Sequence, residues 1–273
     1  LSKLGKGSLC SSVVTVNEQF ARNFILGAGT FHGRILILNR ECAKESTGHG
    51  SPLPMLVHGG PGRAGGGEEM GGLRGIKHYM QRLAVQGSPN MLTAITHVYQ
   101  PGATGITDTI HPFKKYFEEL NIGDQLITQK RIITSADIDR FADLSGDHFY
   151  AHIKTTDFSD TMFDEQVAHG YFLLSAAAGL FVDSYEKNPV LLNYGIEELR
   201  FTKPVYSGTE IYIKLTCKEK IEQELKEITP ETKHVKGIEI PGGIVKWFVE
   251  IIDQTEEVSG VATILTMVRK KND

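Results

Sequence analysis

The least polar stretch of the chain runs from Tyr171 to Val182. Wound as a helix over about Gly170–Tyr185, it is apolar on every side. A helix without a polar face is expected to be wrapped all round by other elements. Runs that suit the wrapping follow it: Leu191–Phe201, Thr209–Lys220, Ile244–Ile252 and Val261–Val268 read as strands, and Gln125–Ile133 reads as another before it. Between that first strand and the apolar helix, Ser135-Ala136-Asp137 opens a shorter helix with Ser135 as a plausible N-cap, ending near Ser145-Gly146. Five antiparallel strands around one apolar helix predict an α+β architecture.

The first hundred residues follow another pattern. Asn17–Ala28 has helical spacing, and Gly33–Asn39 reads as a buried strand. Gly48–Gly75 is mostly Gly, Pro and polar residues and predicts little regular structure. Ile76–Leu83 reads as a helix, and Ala84–Val98 as a strand or an arm. Composition changes as well. Residues 1–104 hold 18 of the 29 glycines and a net charge of +5, whereas the remainder carries −9. Two domains, 1–104 and 105–273, are therefore expected, with the boundary in the turn-rich Gln100–Gly105.

The whole chain, 273 residues at net −4, has no basic footprint for nucleic acid. Three cysteines, Cys10, Cys42 and Cys217, lack metal-knuckle spacing and point to a reducing compartment. The apolar run is shorter than the roughly 20 residues that span a bilayer. A soluble, cytoplasmic protein is expected, with no membrane partner. Because the chain begins with Leu1, it is also read as cut from something longer.

Four places carry candidate chemistry. Gly60-Pro61-Gly62-Arg63-Ala64-Gly65 matches the glycine fingerprint of dinucleotide sites. It is followed by more glycines rather than a helix, and no acid stands near position 85, so a structural glycine loop is the better reading. Cys42, after the buried strand with Lys44 and His49 nearby, is more simply a packing residue than a nucleophile. Asp147-His148-Phe149-Tyr150-Ala151-His152 directly follows the end of a helix. His148 and His152 lie four apart, but no third metal ligand is evident, and no metal is assigned. Asp147 with His152 suits acid/base work on water; a capping Asp beside a surface histidine stands as the alternative on pattern alone. His169-Gly170 begins the apolar helix, where free N–H groups and Gly170 would let an oxyanion approach. A helix start that needs flexibility is the plainer reading of the same residues.

Three ordered motifs lie in the second part: Phe141-Ala142-Asp143-Leu144-Ser145-Gly146-Asp147 with His152, then Val167-Ala168-His169-Gly170, then Leu199-Arg200-Phe201-Thr202-Lys203-Pro204-Val205 with Gly208. Together they resemble the MaoC-like, (R)-specific enoyl-CoA hydratase family, over about Ile110–Val268. The resemblance implies a hot-dog fold and the catalytic residues Asp147, His152 and, through its backbone N–H, Gly170. It also implies an acyl-CoA substrate and a homo-oligomer. Simple hydratases of the family read D-x-N-P-x-H, and Phe149-Tyr150 here replaces the Asn-Pro.

In the first part, Glu45–Pro52, His58–Glu69 and Tyr79–Arg82 resemble the final section of an aldehyde dehydrogenase domain. Such a tail joined to a MaoC-like domain resembles the bifunctional family of phenylacetate degradation that pairs an oxepin-CoA hydrolase with a semialdehyde dehydrogenase. The family's Rossmann domain, cysteine nucleophile and glutamate base have no counterpart here, so the resemblance implies a remnant without dehydrogenase activity. NADP would belong to the intact dehydrogenase alone, and the hydratase part needs no cofactor beyond the CoA of its substrate.

Overall fold

The computed structural model describes all residues except 43, 46–57, 61, 65–75, 77–79, 81, 183–185, 224–241 and 272–273. It divides into two compact units, Leu1–Thr104 and Gly105–Asp273. The stretch Gly48–Gly75, expected to be irregular, lies mostly outside the described residues, as does half of the helix expected over Ile76–Leu83.

In the first unit, β1 (Ser8–Val14), β2 (His32–Leu38) and β3 (Ala84–Gln86) form a parallel sheet in that order. The crossover from β1 to β2 is α1 (Glu18–Ala28), capped by Asn17, whose side chain accepts from the Phe20 N–H at 2.8 Å. Ala84–Val98 departs from expectation. Only its first three residues are strand, and Pro89–Thr96 is a helix, α2. The cause is local: Ser88 caps it and Pro89 fills the first turn, where a missing N–H costs nothing. Val13, Ala21, Ile35, Ile37, Met91 and Ile95 make the core. Of the fingerprint residues, Gly62–Ala64 form a single 3₁₀ turn, and the residues that follow lie outside the described ones. Gly60 packs so closely on Gly33 of β2 that a Cβ there would collide with it. Cys42 sits beyond β2, its Sγ 3.6 Å from the Ile37 carbonyl.

The second unit is a seven-stranded sheet rather than a five-stranded one. The order is β4 (Ile106–Thr107), β5 (Asp124–Ile127), β8 (Glu210–Glu222), β9 (Gly242–Asp253), β10 (Val258–Arg269) and β7 (Val190–Phe201), with β6 (Arg131–Ile132) also on β8. The expected strand Gln125–Ile133 is thus two short pieces, β5 and β6. Strands β7 to β10 pair antiparallel wherever they meet. The helix α3 (Ser135–Ser145) has Thr134, not Ser135, as its N-cap: Thr134 and Asp137 satisfy each other's backbone N–H groups. Gly146 ends it at φ 77°, a conformation that glycine adopts without strain.

The apolar helix α4 (Gly170–Phe181) lies on the sheet. Phe172, Leu173, Ala176, Ala177 and Phe181 join Ile213, Leu215, Trp247, Val249 and Ile264 in one core. The helix is not wrapped on all sides, however. Tyr171 is 69% exposed, and Ser175 and Gly179, one and two turns further on, are exposed with it. The sheet covers one face of α4, and among the described residues this stripe is left open.

Candidate active site

The site lies where three loops meet α4. Ser145 and Gly146 end α3 and deliver Asp147 to the surface. The Asp147 N–H donates to Ser145 Oγ, and Asp147 Oδ1 accepts from the Phe149 N–H at 3.2 Å. Asp147 is not the N-cap of the 3₁₀ turn that follows, which is Phe149 without a side-chain cap; its carboxylate closes the preceding turn onto Phe149. A single 3₁₀ turn, Tyr150–His152, then brings His152 round.

His152 is oriented by its backbone neighbour across the site. Its Nδ1 lies 2.8 Å from the Val167 carbonyl. A carbonyl only accepts, so Nδ1 carries the proton and Nε2 is left with a lone pair. That is the tautomer a proton acceptor needs. Val167 is itself fixed: its N–H donates to the Ala151 carbonyl, and the Ala168 N–H donates to that of Val205. Lys203-Pro204-Val205 thus supports the second motif from behind.

Two residues of this layer were given no side-chain role by the sequence. Gln166, buried, donates through Nε2 to Asp139 Oδ1 and to the His152 carbonyl, and its Oε1 accepts from Ser135 Oγ. It ties α3 to the loop of His152. His169, 1% exposed, stacks its ring on His152 with centroids 3.7 Å apart and planes tilted by 26°. Its Nε2 donates to the Asp147 carbonyl at 2.9 Å. Burial pushes the His169 pKa down, against the hydrogen bond to Asp147, so the ring is neutral near pH 7.

Asp147, His152 and His169 each offer one donor atom within 4.8 Å of the others. The third ligand missing from the sequence pattern is therefore present in space, although it is His169 and not His148. The stack argues against a shared ion. An imidazole lone pair lies in its ring plane, and two planes this close and this nearly parallel do not converge on one metal at bonding distance. His148 is exposed and stands outside the group.

Gly170 follows His169 as the first residue of α4, where backbone N–H groups have no helical partner. Beside it is a cavity of about 330 Å³ walled by Phe163, Val167, Gly170, Leu173, Phe201 and Lys203. The Phe201 ring packs directly on Gly170, and a Cβ at this position would collide with it. Phe149 and Tyr150, both largely exposed, form a tilted pair 4.5 Å apart, with Phe149 edge-on to His152 at 6.0 Å.

The antiparallel sheet with its apolar helix has the hot-dog architecture, and residues 118–237, somewhat under half of the chain, match the family model described as the MaoC like domain. Protein MaoC of Klebsiella aerogenes is 60% identical over 220 residues, which cover 81% of this chain and 65% of that protein. The 3-hydroxyacyl-thioester dehydratase Z of Mycobacterium tuberculosis is 32% identical over 81 residues, 29% of this chain and 54% of the relative. Among solved structures, the monoamine oxidase regulatory protein from Archaeoglobus fulgius superposes with a TM-score of 0.50 at 25% identity, covering 62% of this chain and 99% of that one. The chain thus spans just under two thirds of the length of Protein MaoC. Among the described residues, no helix is long and apolar enough to cross a membrane.

Proposed function

We propose that the second unit adds water across an activated double bond of a CoA thioester, and that its substrate is the seven-membered cyclic enol ether oxepin-CoA. The observation that carries the water addition is the orientation of His152: its Nδ1–H is committed to Val167, which leaves Nε2 to take a proton beside the Asp147 carboxylate. Asp147 and His152 hold and deprotonate the water and then return a proton to the substrate. The backbone N–H of Gly170, at the positive end of α4, holds the thioester oxygen as negative charge develops. After water adds, the former ring oxygen is part of a hemiacetal, which collapses to an open-chain aldehyde. No cofactor is required beyond the CoA that the substrate carries.

A ring substrate is favoured by Phe149 and Tyr150. Two exposed aromatic faces beside the acid/base pair suit a flat, conjugated ring better than a thin linear chain. A linear (R)-specific enoyl-CoA hydratase is the second reading, since it uses the same three residues. In the first unit, the parallel sheet and the quoted motifs support a reading as the end of an aldehyde dehydrogenase domain, whose NADP chemistry this unit does not perform. The chain is proposed to form a homodimer or larger assembly, since hot-dog domains commonly pair.

Purified protein is incubated with oxepin-CoA and with crotonyl-CoA, and the products are followed by mass spectrometry. A product one water heavier from oxepin-CoA supports the ring reading, and one from crotonyl-CoA alone supports the linear reading. Release of free CoA thiol, detected with a thiol reagent, would make the domain a thioesterase.

A further inference from the structure

His169 is an uneconomical choice for a core position. It is almost wholly buried, and among the described residues its Nδ1 finds no hydrogen-bond partner. An apolar ring would fill the same space without stranding a polar atom. The other nitrogen points to the reason. Nε2–H is spent on the backbone carbonyl of Asp147, the residue that carries the carboxylate. The face of the same ring lies against His152, and Phe141 packs on it at 5.0 Å. One side chain therefore touches both members of the acid/base pair, by an edge and by a face.

We infer that His169 is the positioning residue of the pair: its Nε2–H fixes the Asp147 loop and its ring face fixes the plane of the His152 imidazole. It makes no contact with substrate in this role. The inference rests on the reading of Asp147 and His152 as the groups that move the proton. A neutral His169 serves it best, because a charged neighbour in the stack would disfavour the imidazolium that His152 must become.

The two contacts are separable by substitution. His169→Phe keeps a flat ring in the stack and removes the N–H. His169→Gln keeps an N–H donor and removes the ring face. Ring-¹⁵N histidine labelling of the full chain reports the tautomer of each histidine by NMR, without any substrate. In the unsubstituted protein near pH 7, His152 is expected as the Nδ1–H tautomer and His169 as the Nε2–H tautomer; the opposite tautomer at His169 overturns the inference. In His169→Gln, which loses the ring face, the His152 nitrogen shifts are expected to move towards a mixture of tautomers; in His169→Phe, which keeps it, they are expected to stay close to those of the unsubstituted protein. With whichever thioester the unsubstituted protein hydrates, kcat is expected to fall by on the order of 10²-fold while KM stays within about twofold. A folded His169→Gln protein whose His152 shifts match the unsubstituted protein would overturn the inference, as would an unchanged kcat in either variant. If neither thioester is hydrated, the proton-transfer reading fails, and the tautomers still decide what His169 holds.

Discussion

In the proposed reaction, Asp147 and His152 divide one task through their surroundings. Asp147 is exposed on a turn of its own making, and His152 is half-buried with one ring nitrogen already engaged. If each supplies a proton-transfer group as proposed, replacing either should cost on the order of 10²- to 10⁴-fold in turnover. Asp147→Asn keeps shape and hydrogen bonding without the charge, and His152→Ala removes the acceptor. His148→Ala should leave turnover near its starting value, since His148 is exposed and outside the group. Steady-state rates on folded variants check this; equal damage from His148→Ala would reassign the pair. The pair stands out in the sequence because Asp147 and His152 lie five residues apart just beyond one helix end. His169 and Gln166 were not readable as its supports. They lie 17 and 14 residues beyond His152 in sequence, and only the return of the chain along Val205 brings them against it.

Among the elements, the long strands and α3 were legible from apolar runs bounded by turn residues. The break between β5 and β6 was not, because Ile127 and Ile132 keep a strand-like pattern although both are exposed. β1 was missed because Ser8-Leu9-Cys10-Ser11-Ser12 has no clear apolar alternation. The helix α2 was missed although Ser88-Pro89 carried its start signal. At the head of α4, Gly170→Ala drives a methyl into the Phe201 ring. It should lower the melting temperature, and by clearly less in a Phe201→Ala background, where the space is open. Equal losses in the two backgrounds, by thermal melts, would contradict that packing. The third motif has a structural duty too. Lys203 donates to Asp253 Oδ2 at 2.6 Å, and Asp253 Oδ1 accepts from Thr255 and Glu257 in the β9–β10 turn. Burial pushes the Asp253 carboxyl up, but Lys203, Thr255 and the backbone N–H groups outweigh it and bring it to about 2. A carboxyl held below its unfolded value stabilises the fold above that value, and the contribution is lost as pH falls towards 2. Asp253→Asn should therefore lower the melting temperature at pH 7, with the difference shrinking below about pH 4. A difference that is constant from pH 7 to pH 3 would show that the ionised carboxylate is not its source.

At the scale of the whole molecule, the shift in glycine content and charge falls where the two compact units divide, at Thr104. What sequence could not show was the open side of α4, because a helix apolar all round gives no sign of which face the chain leaves uncovered. The stripe of Tyr171, Ser175 and Gly179 is exposed, as are Leu192, Tyr194 and Ile196, alternate residues on the edge strand β7. A free edge with exposed apolar side chains is where a second copy would pair. Tyr194→Lys together with Ile196→Lys should shift the light-scattering mass of the protein towards the monomer; an unchanged assembly would place the pairing surface elsewhere. The most direct test of the proposed chemistry is the product formed from oxepin-CoA by the unsubstituted protein and by Asp147→Asn, read by mass spectrometry. The expected result is an open-chain CoA thioester one water heavier, formed by the first and nearly absent with the second. Intact oxepin-CoA with both proteins, or the same hydrated product at the same rate from both, would contradict it.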